Sequence, residues 1–209
     1  MSNLLKKFLI KVVIISSMNI FVVLTLNANT HCNKNSFDKT SISINTFSSQ
    51  ISISDKPPVI ASRQEFFGAT STSLTEKVKI NLVKVDRCWF IKSIKLDIGF
   101  PEFKVFVKPE FHTTCLNTQI LKHEQKHILI YKQVLEENVS KLKKDLELFI
   151  RQSSPAIGSP NDIVDQYYTQ LNGFIPYIIT KKNINFNAIS RNRQLDDDEN
   201  SKDIIRLCP

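Results

Sequence analysis

Residues 113–131 read TTCLNTQILKHEQKHILIY and open a stretch without glycine or proline that continues to about Arg151. Apolar side chains recur in it at the spacing of one helix face. They are Ile120, Ile128, Tyr131, Val134, Leu135, Val139, Leu142, Leu146 and Phe149. Thr113, Thr114 and Asn117 offer oxygens that can cap the start of a helix. The pattern predicts one long helix, against which the rest of the chain has to pack.

The predicted helix contains the sequence His123-Glu124-Gln125-Lys126-His127, which is the H-E-x-x-H pattern. Residues four apart share one helix face, so both imidazoles can reach a single metal ion. Glu124 then lies where it can accept a proton from a water held by that ion. In a chain of this composition the pattern is expected about 0.003 times by chance. Surface histidines that merely contact Glu124 are the simpler interpretation, but the apolar flanks favour a half-buried metal site.

Three runs before the helix alternate apolar and polar residues: Val78, Ile80 and Leu82, then Ile94, Leu96 and Ile98, then Phe103, Val105 and Val107. This period of two predicts an antiparallel meander with one buried face. After the long helix, Asn161 and Asp162 begin a second helix that ends near Leu171, before Gly173. We therefore expect an α+β fold, with an antiparallel sheet packed on the long motif-bearing helix and a second shorter helix.

The first 28 residues have the layout of a secretory signal. Three lysines and no acid precede the apolar run 12–26, and Ala28 is a suitable cleavage position. We expect residues 1–28 to be a signal peptide and the protein to be secreted or periplasmic. An uncleaved membrane anchor is the alternative, since the segment 4–26 approaches the roughly 20 residues that span a bilayer.

The net charge of +8 is a weak argument for nucleic-acid binding. Removal of residues 1–28 takes away three lysines and no acid, which lowers the charge to +5. Five further lysines could form a basic surface: Lys141, Lys143, Lys144, Lys181 and Lys182. No nucleic-acid motif accompanies them. With only four glycines, a glycine-rich phosphate loop is also excluded.

Four cysteines in an exported chain indicate disulfides rather than reactive thiols. Cys88 and Cys115 flank the strand-rich stretch, so their pairing is the predicted one. Cys32 and Cys208 would then form the second pair. No two cysteines have the close spacing of a zinc ribbon, which argues against a cysteine metal site.

The run Cys115–Tyr131 and the segment Phe67-Gly68-Ala69-Thr70 together resemble a family of secreted bacterial proteins known as predicted zinc-dependent proteases. The resemblance extends over roughly residues 63–173, and only the helix motif is specific. It implies a small zincin-like domain with a turn at Gly68, and Zn²⁺ as cofactor. It also implies His123 and His127 as metal ligands and Glu124 as catalytic base. The chain then divides into a polar lead-in at 29–60, this domain at 61–180 and a polar tail at 181–209.

A third metal ligand has to come from another element, because each helix turn advances about 5.4 Å along the axis. Asp165 and Asp162 on the second helix and His112 before the long helix are the candidates, although Asp162 also suits a helix cap. Members of the family often carry a histidine before a glycine in that second helix, where this sequence has Asn172. The acidic run 196–199 is expected to be solvated.

These features predict an exported zinc-dependent peptidase that hydrolyses amide bonds with a metal-held water and Glu124 as base. We expect a peptide or protein substrate, aligned on a strand edge such as Phe103–Val107. Tyr131 is more often a core residue than a substrate contact. We expect no nucleic acid as partner, and membrane contact only if residues 1–28 remain attached. The alternative is a non-catalytic exported or envelope-associated binding or structural protein whose H-E-x-x-H helix is degenerate.

Overall fold

The computed structural model describes residues 32–33, 39–57, 67–199 and 201–208, and the predicted signal peptide lies outside them. The strands are β1 (Ser41–Ser54), β2 (Gly68–Ser71), β3 (Thr75–Val85) and β4 (Cys88–Val107). A short 3₁₀ helix, Pro109–Phe111, leads into α1 (Cys115–Gln152), α2 (Pro160–Asn172), α3 (Ile175–Asp198) and α4 (Ser201–Arg206). The α+β class is confirmed. Within the described residues, no helix combines the length and apolarity needed to cross a membrane.

The sheet has β4 at its centre, with β1 along one edge and β2 and β3 along the other. β3 and β2 are antiparallel to β4, but β1 is parallel to it, from Ser41 opposite Ser93 to Ser54 opposite Phe106. The prediction of an antiparallel sheet is therefore wrong for β1. Alternation along a strand identifies its buried face but not its direction, and the long segment between β1 and β4 permits a parallel crossover.

β4 joins two of the predicted runs into a single 20-residue strand. The alternation of buried and exposed side chains shifts by one residue between Phe100 and Phe103, because Pro101 and Glu102 are both exposed. Pro101 lies beyond the last β3 pair, at Gly99, and before the first β2 pair, at Lys104. Pro101 thus falls in the gap between the β3 and β2 pairings, and such an interruption of the ladder is a place where a strand tolerates proline. Gly68 is the first residue of strand β2, where the sequence had predicted a turn.

Helix α1 packs across the sheet and contacts β1, β2 and β4. The side chains between α1 and the sheet form one apolar core, with Leu96, Ile98, Leu142 and Leu146 fully buried. The 38 residues of α1 match the predicted long helix, and its start at Cys115 lies within the predicted capping residues. The motif is thereby fixed rigidly between the sheet and the remaining helices.

Helix α3 lies against α1 and corrects the expectation of a polar tail after residue 180. Ile184 and Ala188 are fully buried on the face that meets the core. The opposite face carries exposed apolar residues, including Phe186 and Ile189. Because both faces contain apolar and polar side chains, the sequence of α3 lacks the clear one-sided pattern that identified α1.

The two disulfides join Cys32 to Cys88 and Cys115 to Cys208. The predicted Cys88–Cys115 pairing is wrong, because Cys88 starts β4 and Cys115 starts α1 after the whole length of that strand. The strand of about 20 extended residues between them holds their backbones much farther apart than one disulfide can span. Both disulfides indicate an oxidising, extracytoplasmic compartment.

Candidate metal centre

Three side chains of the H-E-x-x-H motif face inward from α1. His123 and His127 are 7% exposed and Glu124 is 2% exposed, so the motif is buried rather than on the surface. One ligand atom from each of the three residues lies within 4.8 Å of those of the other two. The helix periodicity explains the two histidines, whose rings meet edge to face with centroids 4.7 Å apart.

Glu124 is held in place by strand β2. Thr70 Oγ1 donates a 2.7 Å hydrogen bond to Glu124 Oε2. Gly68 allows β2 to lie this close, because a Cβ there would be 2.4 Å from Ile120 Cγ2 and 2.8 Å from Glu124 Oε1. Burial raises the pKa of Glu124, while the hydrogen bond from Thr70 opposes that rise. The carboxyl group is therefore a better proton acceptor than an exposed glutamate.

Asp196, in the last turn of α3, reaches both motif histidines with one oxygen. Its Oδ1 lies 3.1 Å from Nε2 of His123 and 3.0 Å from Nε2 of His127. The two Nε2 atoms are themselves 3.1 Å apart. Three ligand-type atoms from two helices therefore form a nearly equilateral triangle.

The other ring nitrogens of the two histidines also have partners near the end of α3. Nδ1 of His127 lies 2.9 Å from Oδ1 of Asn192, and Nδ1 of His123 lies 3.3 Å from Oε2 of Glu199. Lys126 Nζ contacts both carboxylate oxygens of Glu199, at 2.5 and 2.6 Å. Both partners of Nδ1 are acceptors, so a neutral ring with its hydrogen on Nδ1 presents a lone pair at Nε2, whereas a protonated ring also donates from Nε2 to Asp196.

The charges within this group are strongly coupled. The hydrogen bond to Asp196 raises the pKa of His123. Burial opposes protonation of His127, but its hydrogen bond to Asp196 and the charge of Glu124 outweigh it and raise the pKa. Burial also opposes ionisation of Asp196, yet its hydrogen bonds to both histidines hold its pKa well below the usual range. The cluster therefore favours a positive charge beside the Asp196 carboxylate.

The predicted third ligands lie elsewhere. Asp162 lies in the first turn of α2, and the N-cap is Ser159, whose Oγ accepts from the Asp162 N–H and donates to Asp162 Oδ2. Asp165 is on the same helix, where its main-chain carbonyl oxygen accepts a hydrogen bond from Thr169. His112 Nε2 is 2.9 Å from the Val107 carbonyl oxygen. None of these three candidates is in the group of His123, Glu124 and His127 that could hold a metal ion among the described residues, and all three had been chosen from elements next to α1 in sequence.

Two further expectations concern the substrate. The segment Phe103–Val107 was expected to offer a free edge, but β1 pairs with it on one side and β2 on the other. Tyr131 packs edge to face against Phe100, at a centroid distance of 5.2 Å, and near Phe103. Tyr131 therefore packs with the apolar core, as its spacing on α1 predicted.

In the sequence, only the spacing of Asp196 from Asn192 and Glu199 pointed to a role in the site. Asn192, Asp196 and Glu199 follow the i, i+4 and i+7 pattern of a single helix face. The acidic run 196–199 concealed that pattern, because consecutive acids are typical of a solvated segment. The expectation that this run is solvated is correct for Asp196, Asp197 and Asp198, which are exposed, but it did not include the contacts of Asp196 and Glu199 with His123.

Comparison of the chain with protein-family models, with curated proteins and with solved structures found no match. The function has to be inferred from the residues of the site.

Proposed function

We propose that this protein is an exported zinc-dependent peptidase with a zincin-like arrangement of its motif helix and sheet. The observation that carries the proposal is the convergence of His123, Glu124 and His127 in one buried group. Buried polar side chains need partners, and in neutral rings with their hydrogens on Nδ1 the two Nε2 lone pairs, 3.1 Å apart, cannot bond to each other. A cation placed between the two Nε2 atoms would bind both lone pairs. This set of donor atoms therefore suits a metal ion.

Zinc is the metal that this donor set fits best, since imidazole nitrogen and carboxylate oxygen are both common zinc ligands. Bound there, it would supply a Lewis acid that acidifies water and polarises a carbonyl group. The buried surroundings strengthen the electrostatic effect of every charge in the site. The remaining chemistry falls to residues of the chain.

Glu124 is the proton-transfer residue in this proposal. Its carboxylate takes a proton from the attacking water and passes it to the leaving amine of the cleaved peptide bond. Burial supports this role by raising its pKa toward the range in which such a base works best. Thr70 is a positioning residue, because its hydrogen bond to Oε2 fixes the orientation of the carboxyl group.

Strand β2 is the element on which a peptide substrate is proposed to bind. It pairs with β4 along one edge, and its other edge has no strand partner in the part of the chain that the structure describes. An extended peptide can add to such an edge through backbone hydrogen bonds. Since Thr70 of β2 contacts Glu124, a peptide aligned there would pass beside the base.

The test compares the oxidised protein with its Glu124→Gln variant and with Glu110→Gln, an exposed control in the 3₁₀ helix. Zinc content is measured by mass spectrometry, and hydrolysis is followed on a mixture of fluorogenic peptides. We expect all three proteins to hold one zinc ion. Hydrolysis should fall by at least about 10³-fold in Glu124→Gln alone. A wild-type protein that binds no zinc, or equal hydrolysis in all three, would rule out the proposal.

A further inference from the structure

We propose that Asp196 is the third metal ligand, and that α3 supplies it together with the two residues that orient the histidines. This inference rests on the proposed metal site and adds an element that the motif does not contain. It makes α3, and not α2, the partner helix of α1 in metal binding.

The separations between the three atoms support this assignment. Zinc binds nitrogen and oxygen ligands at about 2.0–2.2 Å, so two ligands of a tetrahedral site lie about 3.3–3.5 Å apart. The observed separations among Nε2 of His123, Nε2 of His127 and Oδ1 of Asp196 are 3.0–3.1 Å. The three atoms therefore already stand close to the spacing of one face of a zinc tetrahedron.

The hydrogen bonds around the histidines support it independently. Asn192 and Glu199 lie at the Nδ1 atoms as acceptors, and this orientation of the rings turns both Nε2 atoms toward Asp196 Oδ1. Metal-ligating histidines typically have such a carboxylate or carbonyl partner on the second nitrogen. When both rings are neutral with their hydrogens on Nδ1, the two Nε2 atoms and Asp196 Oδ1 are three acceptors at one place, and a cation between them removes their mutual repulsion. Asn192 and Asp196 on one face of α3, together with Glu199 at its C-cap, thus serve one centre.

Other acidic residues near the centre are already engaged. Glu124 is bonded to Thr70, and Glu199 faces the Nδ1 side of His123 and pairs with Lys126. Asp197 points to a different part of the surface, where it lines a groove with Phe186 and Arg193. Asp196 itself is 58% exposed in its side chain, which leaves the open side of the centre accessible to a substrate.

The test measures zinc affinity by competition with a chromophoric chelator, a readout that does not depend on hydrolysis. Asp196→Asn keeps the size of the side chain and removes its charge, and Asp197→Asn is the matched control one residue away. Asp196→His replaces the carboxylate with another zinc ligand. Circular dichroism verifies that each variant is folded.

We expect Asp196→Asn to bind zinc at least about 100-fold more weakly than wild type, and Asp197→Asn to bind as wild type does. Asp196→His should recover part of the loss, since imidazole can occupy the same position. The visible spectrum of the Co²⁺-substituted protein should change with each substitution of Asp196 and with none of Asp197.

Three results would overturn the assignment while leaving the metal site intact. The first is wild-type zinc affinity in Asp196→Asn when His127→Ala has lost binding. The second is an equal loss in the Asp196→Asn and Asp197→Asn variants, and the third is a loss that Asp196→His does not reduce. A general effect on the helix would explain the second and the third. Failure of the wild-type protein to bind zinc would instead reject the proposed function as well.

Discussion

Thr70 Oγ1 lies 2.7 Å from Oε2 of Glu124, and this bond joins the strand at the open edge of the sheet to the motif helix. The bond connects residues that are 54 positions apart in the chain. It stabilises the ionised form of a buried carboxyl group. The strand on which a substrate is proposed to bind therefore also adjusts the acidity of the proposed base.

Replacing Thr70 with valine should shift the pH dependence of hydrolysis. Valine keeps the shape of the side chain but removes the donor, so the pKa of Glu124 should rise further above its usual value. Hydrogen bonds to charged groups contribute about 1.5–3 kcal/mol, which corresponds to an acid limb of kcat/KM about 1–2 pH units higher. Thr72→Val is the control, since Thr72 donates to the Glu102 carbonyl. An unchanged acid limb in Thr70→Val would contradict the positioning role.

Replacing Gly68 with alanine should destabilise the protein and disturb the base. The new methyl group would meet Ile120 Cγ2 at 2.4 Å, and overpacking of this kind costs about 1–3 kcal/mol. Gly173→Ala is the control, because its Cβ would meet Thr169 O at 3.6 Å, an ordinary contact. Urea unfolding with and without zinc measures both variants. Equal stability of the two would show that β2 can move away from α1 at little cost.

The stability of the metal-free protein should fall as the pH rises above neutrality. The pKa values of His123 and His127 are raised in the folded state, so their contribution is complete below about 6.5 and is lost as the pH rises through the folded values. Asp196 has a lowered pKa, so its contribution is present above about 3.8 and persists at neutral pH. The free energy of unfolding in chelator should therefore be lower at about pH 8.5 than at about pH 6.

Saturation with zinc should reverse this dependence, because protons compete with the metal for the same atoms. The measurement is urea unfolding at both pH values, first with chelator and then with excess zinc. The same trend in both series would indicate that these histidines are not the metal ligands.

Removing the Cys115–Cys208 disulfide should weaken zinc binding as well as stability. This disulfide closes a loop of 93 residues and fixes the chain beyond Asp196 against the start of α1. The double alanine variant should unfold more easily by about 2–4 kcal/mol. Its zinc affinity should fall by at least about tenfold, as when partners outside the ligand set are lost.

The Cys32–Cys88 disulfide provides the matched control, because it links the residues before β1 to the start of β4. Its double alanine variant should lose similar stability in chelator and retain zinc affinity. If both variants lose affinity equally, the effect comes from general destabilisation rather than from the position of α3.

The motif helix was predictable because its determinants are local. The absence of glycine and proline over 113–151, the apolar spacing and the i, i+4 histidines all act within a few turns. Burial of Glu124 followed from the apolar flanks on either side of it. These properties do not depend on how distant parts of the chain are arranged.

The rest of the site was not predictable, because it depends on contacts between distant residues. Asp196 lies 69 positions after His127, and α3 has apolar residues on both faces, such as Ile184 and Phe186. The direction of β1 and the pairing of the cysteines are decided in the same way, by which elements meet after the sheet and helices have packed. Sequence spacing alone does not show which elements pack against each other.

The disulfides also have an order along the chain. Each one joins cysteines that follow one another in sequence, so the loop from Cys32 to Cys88 ends before the loop from Cys115 to Cys208 begins. A chain that enters an oxidising compartment with its amino terminus first can close the first loop before a competing thiol arrives. Cys115 and Cys208 are then the two cysteines that remain, and they pair with each other. Oxidation in the order of arrival yields the native pairing, and such a chain does not depend on slow thiol–disulfide rearrangement to reach its fold.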